Sequence, residues 1–135
     1  MRILSWNCRG ASRAPTVRSI KALIKGEGPD VLFVSETKVY SPKMEKLKFK
    51  MGFANCFAIN SRGRADGLAL FWKMGVELEV MFSNKNIIAA LIFSDPPENP
   101  WLLLAVYGPP YFVHKRSFWN LMSELIHSFS GTRLC

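Results

Sequence analysis

With 135 residues and a mass of 15.3 kDa, the chain has the size of one ordinary domain. Apolar residues make up 49 % and charged residues 21 %, which excludes wholesale disorder and low-complexity chains. The longest apolar runs, 87–93 and 101–107, have strand length and fall well short of a bilayer span. The net charge is +8, and residues 1–50 hold 11 basic against 4 acidic groups. Such a basic half suits a polyanion such as nucleic acid, whose phosphates release counterions on neutralisation, or serves as a solvated, lysine-rich surface. Met1-Arg2-Ile3-Leu4-Ser5-Trp6-Asn7 turns polar too early for a signal peptide, so an intracellular protein, nuclear or cytoplasmic, is expected. Cys8, Cys56 and Cys135 are odd in number and lack zinc-site spacing, which fits free thiols.

In chain order, Ile3 to Asn7 reads as a buried strand closed by Arg9-Gly10. After Pro15, Val17, Ile20 and Ile24 recur on one helical face opposite Arg18, Lys21 and Lys25, and Gly26-x-Gly28-Pro29 stops the helix. Val31 to Val34 forms a second buried strand, ended by Ser35-Glu36-Thr37-Lys38. Strand, helix and strand within about 30 residues make a βαβ unit, whose crossover renders the strands parallel. Ser41-Pro42 reads as an N-cap and N1 proline, with Met44, Leu47 and Met51 on the buried face of a second helix. Strands are expected over 53–60, 68–72, 76–82, 87–93 and 101–107, mostly antiparallel, with 68–72 and 101–106 central because they are apolar throughout. A final helix from about Val113 to Ser130 turns Phe118, Leu121, Met122, Leu125, Ile126 and Phe129 inward.

Functional groups in parallel α/β arrangements collect beyond the carboxyl ends of strands, and Asn7 and Glu36 both sit there. An amide and a carboxylate on one sheet edge can share a magnesium ion or a phosphate; the same residues also serve as a turn former and a loop charge. Tyr107 closes the last long strand, where a phenol can donate to a phosphate oxygen or pack half-buried. Ser5-Trp6-Asn7-Cys8-Arg9-Gly10, Ser35-Glu36-Thr37-Lys38, Gly67-Leu68-Ala69-Leu70-Phe71-Trp72 and Val106-Tyr107-Gly108-Pro109-Pro110 occur in an informative order. Together they closely resemble the endonuclease/exonuclease/phosphatase superfamily, most of all the endonuclease domain of plant non-LTR, LINE-type retrotransposons. The resemblance implies an α/β fold, the N-terminal half of a four-layer α/β/β/α sandwich, with a mixed sheet and helices on one face. It also implies phosphodiester hydrolysis with Mg2+ or Mn2+ and DNA as partner. Carried over, Asn7 is the phosphate- and water-positioning amide, Glu36 the metal-binding carboxylate and Tyr107 the phosphate-contacting phenol.

The sequence departs from that family where its later motifs would stand. It has neither a Gly-Asp-Phe-Asn segment nor an Asp-His pair; its aspartates are Asp30, Asp66 and Asp95, and its histidines are His114 and His127. Arg9 stands where several relatives carry Asp, and Arg9 and Lys38 become candidate nucleic-acid contacts. A truncated domain over 1–135 with little or no nicking activity is expected, the alternatives being a non-catalytic nucleic-acid-binding remnant using the basic faces of the first two helices, or a degenerate gene product. A second sheet is expected beyond Cys135, which leaves the first sheet's inner face uncovered and prone to self-association. Trp6, Trp72, Trp101 and Trp119 read as core.

Overall fold

The computed structural model describes residues 1–11, 13–38, 41–60, 67–108, 112–129 and 132–134. They form two compact units, Met1–Val76 and Glu77–Cys135. The first holds β1 (Ile3–Asn7), α1 (Ala14–Glu27), β2 (Val31–Ser35), α2 (Ser41–Met51), β3 (Asn55–Ile59) and β4 (Leu68–Trp72). Its sheet runs β1-β2-β4-β3, with β1 parallel to β2 and both remaining pairs antiparallel. The predicted βαβ unit is therefore present, and the all-apolar β4 is central. Pro15 lies in the first turn of α1, where its missing N–H costs nothing, and the left-handed Gly28 donates to the Ile24 carbonyl to close the helix. α2 starts on Ser41 itself, the residue expected as its cap and one position before the expected first helical residue, Pro42.

Pleat alternation sets the faces of this sheet. Leu32 and Val34 of β2 and Ala69 and Phe71 of β4 point to the side where α1 contributes Ile20 and α2 contributes Met44 and Met51. Burying side chains such as Ile20 and Met44, each 1 % exposed, contributes roughly 1.5–3 kcal/mol apiece. Phe53 and Phe71 tilt against each other at 5.7 Å between ring centroids. Asn7, in register with Ser35, falls on the opposite face from this cluster.

The second unit holds β5 (Leu78–Ser83), β6 (Ile87–Ile92), β7 (Trp101–Val106), α3 (Phe112–Ser128) and β8 (Thr132–Leu134). They form a separate sheet of order β5-β6-β7-β8, antiparallel except for the β7–β8 pair, which α3 connects. Phe118 and Met122 of α3 are buried over Ile87, Ala89, Leu102 and Leu104, with the other inward positions packed around them. Helices thus lie on one face of each mixed sheet, as the α/β reading requires.

The expectation that a second sheet lies beyond Cys135 is overturned, because β5 to β8 already build one. The physical reason is that β4 has both edges taken, by β2 and β3, so β5 cannot hairpin onto its predecessor and pairs forward with β6. Two smaller corrections follow from local geometry. A register shift between Val80 and Phe82 breaks the alternation expected of β5 and leaves Phe82 36 % exposed. Trp119 is 59 % exposed rather than core, since it follows the inward Phe118 around the helix and touches it edge-on at 5.1 Å. Asp66, Pro109, Pro110 and Cys135 lie outside the described residues. Among the described residues no helix is long and apolar enough to cross a membrane.

Candidate active site

The parallel register of β1 and β2 runs from Ile3 with Val31 to Asn7 with Ser35. Asn7 therefore stands opposite Ser35, about 5 Å away across the ladder, and Glu36 is the next residue, the first of the loop after β2. The pairing continues beyond the strands. The Cys8 amide donates to the Ser35 carbonyl (3.0 Å), Gly10 to Glu36 (2.9 Å) and Ala11 to Thr37 (2.7 Å). Thr37 in turn donates to the Gly67 carbonyl at 3.1 Å. These four bonds fasten the loop after β1, the loop after β2 and the entry to β4 into one edge.

Backbone strain concentrates there. Arg9, Glu36 and Lys38 have φ of 50°, 53° and 57°, the left-handed region that side chains bearing a Cβ adopt at a cost of roughly 1–2 kcal/mol each. Gly67, at φ 117°, is required on a second ground: a Cβ there would collide with Thr37 Oγ1 and stand 3.2 Å from the Lys38 amide nitrogen. Thr37 is fully buried, and its Oγ1 has no hydrogen-bond partner among the described residues. Sequence reasoning named neither Thr37 nor Gly67 as a site residue; the signal available was a glycine immediately before an all-apolar strand.

The side chains differ in exposure. Asn7, Arg9 and Lys38 are exposed and Glu36 is half-buried. The Lys38 stem passes over Gly10, with its Cδ 4.0 Å from where a Cβ would stand. Cys8 is buried and its Sγ donates to the Glu36 carbonyl at 3.5 Å. Burial pushes the Cys8 thiol up, outweighing the backbone hydrogen bonds that stabilise the thiolate. It is thus a neutral packing group rather than a nucleophile.

Asn7, Arg9, Glu36 and Lys38 all belong to this edge of the first unit. Tyr107 belongs to the second unit, half-buried just past the end of β7. Its amide donates to the Asn86 carbonyl (2.7 Å), and Asn86 Nδ2 donates back to the Tyr107 carbonyl (3.0 Å). Asn84 Oδ1 accepts from the amides of Asn86 (2.8 Å) and Ile87 (2.9 Å), which shapes the β5–β6 turn that carries this clamp. Asn84-x-Asn86 is a turn signal that sequence reasoning passed over. His127 is exposed on α3, its Nδ1 2.6 Å from the Ser123 carbonyl oxygen.

Chemically, the first-unit edge offers one carboxylate, one amide oxygen and two cations. Among the described residues no three His, Cys, Asp or Glu side chains gather as a metal cluster. The donor set of Glu36 with Asn7 fits a hard divalent cation that keeps most of its shell as water and substrate oxygen, as magnesium does.

The family model for the endonuclease/exonuclease/phosphatase family matches residues 4–133. The chain belongs to that family. Solved structures agree on the fold. A 3′-5′ exonuclease from Neisseria meningitidis is similar at a TM-score of 0.66 and 19 % identity, covering 95 % of this chain and 52 % of that one. The Xenopus laevis APE2 catalytic domain gives 0.65 and 18 %, covering 90 % and 52 %. A truncated Caenorhabditis elegans TDP2 gives 0.63 and 18 %, covering 96 % and 57 %. The chain spans about half the length of these family members. No curated protein matches the sequence.

Proposed function

We propose that these residues carry the metal- and phosphate-holding half of a DNA phosphodiester hydrolase, of the type attached to plant non-LTR retrotransposon reverse transcriptases. The observation that supports this reading is the β1–β2 register, which pairs Asn7 with Ser35, the residue before Glu36, at the carboxyl edge of a parallel pair. It occurs in a chain of the endonuclease/exonuclease/phosphatase family. Support for DNA as the partner comes from a 3′ phosphatase of Neisseria, similar in fold, whose structure contains a product DNA hairpin. The basic character of residues 1–50 agrees with it.

In this reading Glu36 holds a divalent ion, Mg2+ or Mn2+, and Asn7 donates its amide N–H to a phosphate oxygen. When bound, the ion supplies Lewis-acid polarisation of the phosphoryl oxygen and stabilises the leaving oxyanion. Arg9 and Lys38 attract the flanking phosphates; for Tyr107, in the second unit, the family resemblance implies a phosphate-contacting phenol. The 135 residues contain no Asp-Asn segment to deprotonate water and no Asp-His pair. Loss of a general base costs roughly 10²–10⁴ in rate, so this stretch by itself turns over slowly or not at all.

The test is Mg2+-dependent nicking of supercoiled plasmid by the purified chain beside an identically prepared Glu36→Gln variant, with Mn2+ binding followed on both. The expected result is Mn2+ binding that Glu36→Gln weakens, with equal silence in nicking. Mn2+ binding indifferent to Glu36 would overturn the metal assignment. Nicking lost in the variant would overturn the claim of negligible turnover.

A further inference from the structure

Between α1 and α2 lies a groove of about 500 Å³ lined by Ala11, Ala14, Val17, Arg18, Lys43, Lys46, Leu47 and Lys50. It exists because the loop before α1 and the first residue of α1 present small side chains, Ala11 and Ala14, so the helices do not close over Val17 and Leu47. Its floor is apolar and its rim is wholly cationic. Arg18, Lys43, Lys46 and Lys50 are exposed and form no ion pair among the described residues, whereas Lys48, outside the groove, pairs with Glu45 at 2.9 Å. Among the described residues no acidic side chain lines it.

We propose that this groove is a docking site for an acidic peptide segment that carries an aliphatic or aromatic anchor. The sequence alone assigned the basic faces of these helices to nucleic acid. The groove argues for a different occupant. A duplex backbone would satisfy the four rim cations but brings no apolar group to fill the floor. An acidic segment with a leucine or aromatic residue satisfies both: carboxylates meet the rim, and the anchor displaces water from Val17 and Leu47. The site is independent of the hydrolase reading, since it uses neither Asn7 nor Glu36.

The test uses a fluorescein-labelled peptide of glutamates flanking two leucines, titrated with the full chain in an anisotropy assay at low and moderate salt. Saturable, salt-weakened binding is expected, falling by about tenfold when the leucines are replaced by serine. The double change Lys46→Glu with Lys50→Glu, at two exposed positions, should weaken binding by about tenfold or more. Ala14→Phe, which fills the floor but keeps every charge, should weaken it as well. Melting curves of each variant establish that it folds. No binding by the parent chain overturns the proposal. So does binding indifferent to the leucine-to-serine change, or full competition by a DNA duplex, either of which marks a plain phosphate surface.

Discussion

Gly67→Ala should be among the most costly single-methyl additions in the chain. The residue sits at φ 117°, outside even the left-handed well that non-glycine residues tolerate. The backbone term is therefore about 2 kcal/mol. The new Cβ also runs into Thr37 Oγ1 and lies 3.2 Å from the Lys38 backbone nitrogen. Thr37 cannot swing away freely, because it is fully buried and its amide is bonded to the Gly67 carbonyl. Overpacking of that kind adds roughly 1–3 kcal/mol, for a total of ~3–5 kcal/mol. Gly28→Ala is the matched control: φ is 57° and nothing lies within 4 Å of its Cβ, so about 1 kcal/mol is expected. Urea unfolding of both variants, and of a Gly67→Ala, Thr37→Ala pair, separates the two contributions. Removing Oγ1 should recover at least ~1 kcal/mol of the steric part as a coupling energy. Equal losses at Gly67 and Gly28, or strict additivity with Thr37, would refute the account of how this edge is packed.

Burial pushes the Cys56 thiol up to about 12, so the folded state keeps its proton where the unfolded chain has released it. That stabilisation is complete below about pH 9 and is lost as pH rises from there towards 12. Urea melts at successive alkaline pH values should show a slope on the order of 1 kcal/mol per pH unit that is shallower in Cys56→Ala; equal slopes would contradict it. Asn86→Ala removes the donor to the Tyr107 carbonyl and should cost about 1 kcal/mol in a thermal melt, while Asn84→Ala, which takes away two accepted bonds, should cost at least as much. In hydrogen exchange, the amides of Cys8, Gly10, Ala11 and Thr37 should be protected like strand amides despite lying outside any strand. Exchange at loop rates would mean that the two loops are not fastened.

What the sequence made legible was whatever depends on period and punctuation. Ile20, Met44 and Phe118 are core because they recur at helical spacing, and β4 and β7 are central because no polar residue interrupts them. Asn7 and Glu36 could be placed together because a βαβ crossover permits one handedness and one strand direction. The partition into two sheets was not legible, since it depends on which strand edges are already occupied, a long-range fact that no window of residues contains. Phe82 was missed for a similar reason: one extra residue in β5 reverses the faces after it. Thr37 was missed because its place in the site comes from a contact with Gly67, 30 positions away.

The left-handed residues connect these points to function. Among the described residues four non-glycine residues have positive φ, and three of them, Arg9, Glu36 and Lys38, lie in the two loops at the β1–β2 edge. Had β2 continued extended, Glu36 would have fallen on the α1–α2 side of the pleat, opposite Asn7. The turn at Glu36 breaks that alternation, and the backbone bonds from Gly10, Ala11 and Thr37 hold the broken geometry in place. Strain of on the order of 1–2 kcal/mol per residue is thereby tolerated where a carboxylate must leave the sheet's own pattern. A Glu36→Gly change should relieve it and stabilise the chain while removing the candidate metal ligand, so stability and metal binding should move in opposite directions at this one position.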